Sequence, residues 1–151
     1  MNEAVRALNR IHPNIDTSRF ENRFSSMNEA FEDALVEGGS VLENAINLPD
    51  DDDRHVVASA VLGRADVIVT NNLRDFPADE LARFGLRACS IDDFLLDQFD
   101  LNKDATWHVL SAQARATTRP KLTTEQLLQQ IANSGAPNFS DAVRREFECT
   151  S

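Results

Sequence analysis

Residues 66–77 read DVIVTNNLRDFP. A strand-like run from Asp66 to Thr70 ends abruptly at Asn71-Asn72, and Arg-Asp-Phe-Pro follows. VIVT at 67–70 is β-branched without alternation, the pattern of a strand buried on both faces in a parallel sheet. A buried strand that stops in amides, a carboxylate and a proline marks either a tight loop or the edge of a site. The flanking sequence has to decide.

Immediately upstream, LPDDDDRHVVASAVLGRA (48–65) reads as a loop and then a helix from about Asp52 to Leu62, ending near Gly63. Its start is crowded with carboxylates, which suit a helix N-terminus. Val56, Val57, Ala60 and Val61 give it an apolar face. Downstream, a short helix from about Ala78 to Phe84 ends at Gly85, LRACS is a weak strand, and IDDFLLDQF is an amphipathic helix that Ser90 is placed to cap. Alternating helices and strands predict an α/β layered domain.

Farther out, residues 3–11 have a helical period at Ala4, Val5, Leu8 and Ile11, and His12-Pro13 stops it. A second helix, capped by Thr17 or Ser18 with Glu21, runs to about Asp33 with Phe20, Phe24, Met27 and Phe31 on one face. Gly38-Gly39 breaks it, and 41–48 is ambiguous. Beyond residue 100 the pattern is helical: about 103–117, 123–133 opened by Thr123-Thr124 with Glu125, and 139–148. Pro120 and SGAP (134–137) separate these helices. The expected organisation is an α/β domain over 1–100 and a C-terminal helical extension over 101–151. The α/β part is short of strands and opens directly in a helix, so its first, central strand is expected to be absent from this chain.

A chain of 151 residues, 42% hydrophobic and 26% charged, is an ordinary single-core globular composition. No apolar run approaches the roughly 20 residues needed to cross a bilayer. Cys89 and Cys149 form no framework, so a reducing cytoplasm is the expected setting. The net charge of −10 argues against bulk electrostatic binding of nucleic acid. Residues 1–100 carry 20 acids against 9 Lys/Arg, whereas 101–121 carry Lys103, Arg115, Arg119 and Lys121 against Asp104 alone. That basic segment is either an RNA or partner contact or a solvated helix face.

No nucleotide-binding glycine loop, nucleophile elbow or zinc spacing is present, and His12, His55 and His108 share no ligand spacing. What remains is acidic. Asp50 to Asp53 precede one helix, and Asn72 and Asp75 fall beyond the carboxyl end of the buried strand, where open α/β sheets bind ligands. Carboxylates converging at such an edge repel one another unless a cation sits among them. Mg²⁺ or Mn²⁺ takes oxygen ligands and leaves positions for water and phosphate, which suits metal-assisted phosphodiester hydrolysis. Each residue also has a plain structural role open to it. Asp53 suits a helix cap, Asp75 and Asn71-Asn72 suit turns, and Glu3 suits a solvated helix face.

LPDDDDRHVVASAVLGRADVIVTNNLRDFP (48–77) resembles the PIN-domain family, the fold of VapC-type toxins, in the branch that carries a C-terminal helical region. The resemblance implies a three-layer α/β/α domain and a Mg²⁺- or Mn²⁺-dependent endoribonuclease. It further implies an RNA substrate, an antitoxin as inhibitor, a cytoplasmic setting and no membrane. Its acidic site maps onto Glu3, Asp53 and the strand-end pair Asn72 and Asp75, with Thr70 and Asn71 shaping the edge and binding metal-bound water or substrate phosphate. Arg54 and Arg74 beside them would meet substrate phosphate. The family's leading acid, at the end of an N-terminal strand, has no counterpart here, and about 30 residues of the family pattern, the central strand included, are expected to be missing. Two expectations follow: a ribonuclease weakened by that missing acid, or a non-catalytic module that binds an antitoxin or another toxin copy. A helical DNA-binding protein is disfavoured by acidity and by the lack of a helix-turn-helix.

Overall fold

The structure is a computed structural model of the chain, and it describes residues 18–31, 34, 36 and 38–148. The helix expected over 3–11, Glu3 and Cys149 lie outside these described residues. Helix α1 (Ser18–Ala30) is the second expected helix. Met27 and Phe31 on its apolar face are 51% and 65% exposed, and neither core cluster of the described residues includes α1. Those two side chains are therefore uncovered by the described part of the molecule, while Phe24 is half-buried. The ambiguous stretch after Gly39 is one turn of helix, α2 (Ser40–Glu43), followed by a segment that buries Ile46 and Leu48. Gly39 allows that turn to lie on the next helix: a Cβ there would stand 3.1 Å from Ala58 Cβ.

The acidic run folds as a 3-10 turn, Asp51–Asp53, opened by the Asp50 carboxylate, which accepts from Asp52 N at 2.9 Å. Helix α3 (Arg54–Leu62) continues it and ends at Gly63. Strand β1 (Val67–Val69), helix α4 (Ala78–Ala82) and strand β2 (Arg87–Cys89) then form one parallel crossover unit, with Val67, Ile68 and Val69 opposite Arg87, Ala88 and Cys89. The molecule is thus α/β, with a two-stranded sheet among the described residues.

One expectation about β1 is corrected. Ile68 is buried, but Val69 is 39% exposed, so the strand is not buried on both faces. The ladder also leaves one edge of β1 without a described partner. Arg87 N donates to Asp66 O and Thr70 N donates to Cys89 O, so the even positions bond β2. In a parallel pair the odd positions, Val67 and Val69, then turn their N–H and C=O to the opposite edge. No described strand lies there.

Hydrophobic burial falls into two clusters. The first gathers Ile46, Leu48, Val57, Ile68, Phe76 and Leu81 between α3, the sheet and α4. The second is built by four helices: α5 (Ile91–Leu101), α6 (Lys103–Ala116), α7 (Thr124–Asn133) and α8 (Pro137–Glu148). Phe99 of α5 meets Phe139 and Phe147 of α8 edge-on, at 6.2 and 6.4 Å between centroids. Trp107 of α6 stacks on Phe147 at 4.5 Å. Residues 91–101 therefore pack with the helices that follow them.

The starts of these helices follow local chemistry. Ser90 Oγ accepts from Asp93 N at 3.0 Å, as its sequence position predicts. Thr123 forms a reciprocal capping box, but with Gln126 rather than Glu125, because the third position of the first turn is the one that reaches back. Helix α8 starts at Pro137, earlier than the expected 139, since proline's fixed φ and missing N–H suit a first helical position.

Two carboxylates act as clasps. Asp92, 7% exposed, accepts from Asn138 N at 3.1 Å, Asn138 Nδ2 at 2.8 Å and Phe139 N at 2.8 Å, so α5 holds the N-terminus of α8. Glu80 of α4 accepts from Asn47 N at 2.9 Å and from Arg83 at 2.6 Å, tying the loop before the acidic run to α4. The Asn47 amide, followed by Arg83, holds the Glu80 carboxyl below its ordinary value of 4.5. A depressed folded pKa means that Glu80 stabilises the fold above its unfolded value and that this contribution disappears as pH falls through the folded one. Thermal unfolding across pH should show Glu80→Gln less stable than the parent at neutral pH, the gap closing below about pH 4.5. A gap that persists unchanged into acid would show that the carboxylate charge plays no part.

Candidate acidic site at the strand end

The ladder with β2 runs one residue beyond β1, through Thr70 N to Cys89 O at 2.9 Å, and then the chain turns. Thr70 Oγ1 accepts from Asn72 N at 3.1 Å, which starts the turn. A 3-10 turn, Leu73–Asp75, follows, and the Asn72 side chain donates from Nδ2 to Asp75 Oδ2. Both structural roles expected for this stretch are therefore real, and together they orient Asp75. Its side chain is only 16% exposed, with Arg74 Nε at 3.5 Å. Arg74 itself is 87% exposed.

Asp53 stands at the N-cap of α3, yet its side chain makes no capping hydrogen bond. Capping falls to Asp50, three residues earlier, on the preceding 3-10 turn. The Asp53 carboxyl is pushed above its ordinary value by partial burial first, then by the charges of Asp50 and Asp75, against a lowering by His55. The fold thus brings Asp53 and Asp75 within electrostatic reach, although 22 positions separate them in sequence. Beside them Arg54 pairs with Asp51 at 2.5 Å, while its buried Nε lacks a hydrogen-bond partner among the described residues.

Asn71 faces the other way. Its Oδ1 accepts from Ile91 N at 3.3 Å, and its Nδ2 lies where a Cβ on Gly135 would come within 2.8 Å. Glu3 is outside the described residues, so its place relative to Asp53 is not part of this geometry. Among the described residues no group of three or more His, Cys, Asp or Glu side chains could hold a metal ion. No helix among them is long and apolar enough to cross a membrane. Of the basic segment, Lys103 is committed to Glu146 at 2.7 Å. Arg115, Arg119 and Lys121 are exposed.

Sequence reasoning did not find Asp92, Glu80 or Gly135. Their partners lie tens of residues away and no local motif announces them. SGAP reads only as a separator between helices, whereas its glycine, Gly135, has φ of +110°.

Residues 91–145 match the family model described as the VapC50 C-terminal domain. The chain is also 44% identical, over 95 residues, to a Mycobacterium tuberculosis protein named "Putative ribonuclease VapC50". That alignment takes in 63% of this chain and 56% of the relative, so the chain spans about half the length of the curated protein it matches. No solved structure gives a significant match. The family match begins at the first residue of α5, where the second hydrophobic cluster also begins.

Proposed function

We propose that this VapC-like member of the PIN family carries the strand-end half of a metal-dependent endoribonuclease site, in a toxin whose inhibitor is an antitoxin protein. The observation that carries the reading is that the Asp75 charge, from the turn beyond β1, acts on the partly buried Asp53 carboxyl at the start of α3. The name of the relative, a ribonuclease of the VapC group, points the same way. We read the complete fold as a three-layer α/β/α PIN domain with the C-terminal helices as its extension, acting on RNA in the cytoplasm.

Two mutually repelling, partly desolvated carboxylates suit a hard divalent cation such as Mg²⁺ or Mn²⁺. Such ions bind through one or two carboxylates and complete their shell with water and phosphate oxygens. Asp53 and Asp75 would hold it, with Asn72 as a neutral neighbour and Glu3 as the expected further acid. When bound, the cation would supply Lewis-acid activation of water and of the phosphodiester. The chain's own residues do the positioning. Thr70 fixes the Asn72 backbone, and the Asn72 amide holds the Asp75 carboxylate at the edge. Arg54, paired with Asp51, and the exposed Arg74 are the cationic groups beside them for an RNA phosphate.

Incubating the purified chain with RNA and Mg²⁺ or Mn²⁺ tests the reading. Cleavage by this chain alone should be weak, and Asp53→Asn should lower it by at least about 100-fold, on the scale at which single metal-site groups matter. The same substitution should raise thermal stability at neutral pH. The raised folded pKa of Asp53 means its charge costs stability there, a cost relieved as pH falls through the folded value. Strong cleavage indifferent to both Asp53→Asn and Asp75→Asn would sink the proposal.

A second reading has its own observation, the edge of β1 at Val67 and Val69, which no strand among the described residues pairs. Unpaired strand edges invite pairing with another chain. On this reading the chain is a non-catalytic module for an antitoxin or another toxin copy, including a homo-oligomer. A monodisperse monomer by light scattering would count against it.

A further inference from the structure

Asn71 belongs to the strand end by sequence, yet both ends of its carboxamide touch the C-terminal helical unit. Oδ1 receives the Ile91 N–H at the start of α5, at 3.3 Å. Nδ2 lies against Gly135 in the turn between α7 and α8 so closely that a Cβ there would stand 2.8 Å away. Those two places are themselves joined. Asp92, next to Ile91, holds the Asn138 and Phe139 amides, three and four residues past Gly135. The contacts close a circuit that runs from Asn71 to Ile91, through Asp92 to the start of α8, and through Gly135 back to Asn71. The buried Asp92 clasp makes two sides of it rigid, and the third is the carboxamide.

On the other side of the same residue, the backbone passes directly into Asn72. Its N–H is fixed by Thr70 Oγ1 and its side chain holds Asp75. We propose that Asn71 is a positioning residue through which the folded C-terminal helices set the Thr70–Asp75 turn, and with it the Asp75 carboxylate. This rests on the reading of the strand end as the acidic site. It adds that the site's geometry depends on a unit that contributes no acid to it. Anything that loosened the turn between α7 and α8, or displaced the start of α5, would be felt at Asp75. The glycine at 135 is required twice over, by its φ of +110° and by the closeness of Asn71.

The test is a double-mutant cycle on the full chain, Asn71→Ala and Gly135→Ala singly and together, followed by amide hydrogen exchange and by the side-chain amide resonances of Asn72. Each single variant should speed exchange of the Asn72–Phe76 amides by about threefold to tenfold, as expected for losing one exposed polar contact. Each should also move the Asn72 side-chain amide signals toward solvent-exposed values. Removing the Asn71 side chain removes the atom that a methyl group at position 135 would strike. The double variant should therefore fall short of the product of the two single effects. Asn71→Asp, which keeps an oxygen for Ile91 N, should keep residue 91 protected and supplies the comparison if an alanine variant folds poorly. Exchange altered only around residues 91 and 134–138, with the Asn72 signals unmoved, would overturn the proposal, as would strictly multiplicative effects. None of these readouts requires catalysis. If Asp53→Asn leaves cleavage intact while the cycle shows coupling, the acidic-site reading fails and the positioning role stands; the opposite pair of results separates them the other way.

Discussion

Asp92→Ala is expected to lower the stability of the C-terminal helices by about 3 kcal/mol, the scale for losing charge-assisted bonds to partly and fully buried amides. Three bonds end on this carboxylate, two of them from the backbone at the first turn of α8. In the alanine variant Phe139 N stays buried with its acceptor gone, and the positive end of α8 loses its nearest anion. Asp92→Asn keeps an acceptor for one amide but turns the second position into a donor, so it should lose roughly half as much. Trp107, the single tryptophan, stacks on Phe147 of α8 and makes a local probe. Urea unfolding followed by its fluorescence should show the midpoint falling from parent to Asn to Ala. A loss below about 1 kcal/mol for alanine would mean water replaces the carboxylate freely, and the clasp would be incidental.

The contrast between Asp92 and its neighbour Ser90 shows what the sequence could reveal. Ser90 was legible because a cap and its partner lie within one turn, and the run IDDFLLDQF supplies the period behind it. Asp92 reads as one more first-turn acid, since the helix that needs it lies 46 positions later. The same division holds at the site. VIVT followed by NNLRDFP showed where the strand stops, and the crowded acids before RHVV showed where a helix starts. The electrostatic coupling of Asp53 to Asp75 is a product of α3 packing on β1 between them, and local pattern gives no distance. Asn71 and Asn72 look interchangeable as letters, yet one faces Asp75 and the other faces Ile91 and Gly135. The exposure of Val69 escaped the sequence for a related reason. An unbroken β-branched run specifies a strand fit for burial on both faces, while burial itself depends on neighbours that the run does not encode.

Leu81→Ala is the second large expectation, and it also tests how the two clusters are joined. Leu81 is fully buried in α4 and touches the cluster that holds Ile46, Val57, Ile68 and Phe76. Truncating a wholly buried leucine typically costs about 3 kcal/mol, from lost burial and the cavity left behind. Among the described residues this cluster rests on a sheet of two short strands, so little described structure around it can hold α4 in place. The second cluster shares none of its buried residues. Polar ties between them run through Asn71 and through the exposed Arg87–Asp97 pair at 3.8 Å, contacts too weak to make one cooperative unit of both. Amides of α3 and α4 should therefore lose protection in Leu81→Ala, while the Trp107 transition shifts by about 0.5 kcal/mol or less, as for independent sites. If both probes shift together by the full amount, the chain unfolds as a single unit. The division of its core at residues 88–91 would then be geometric and not energetic.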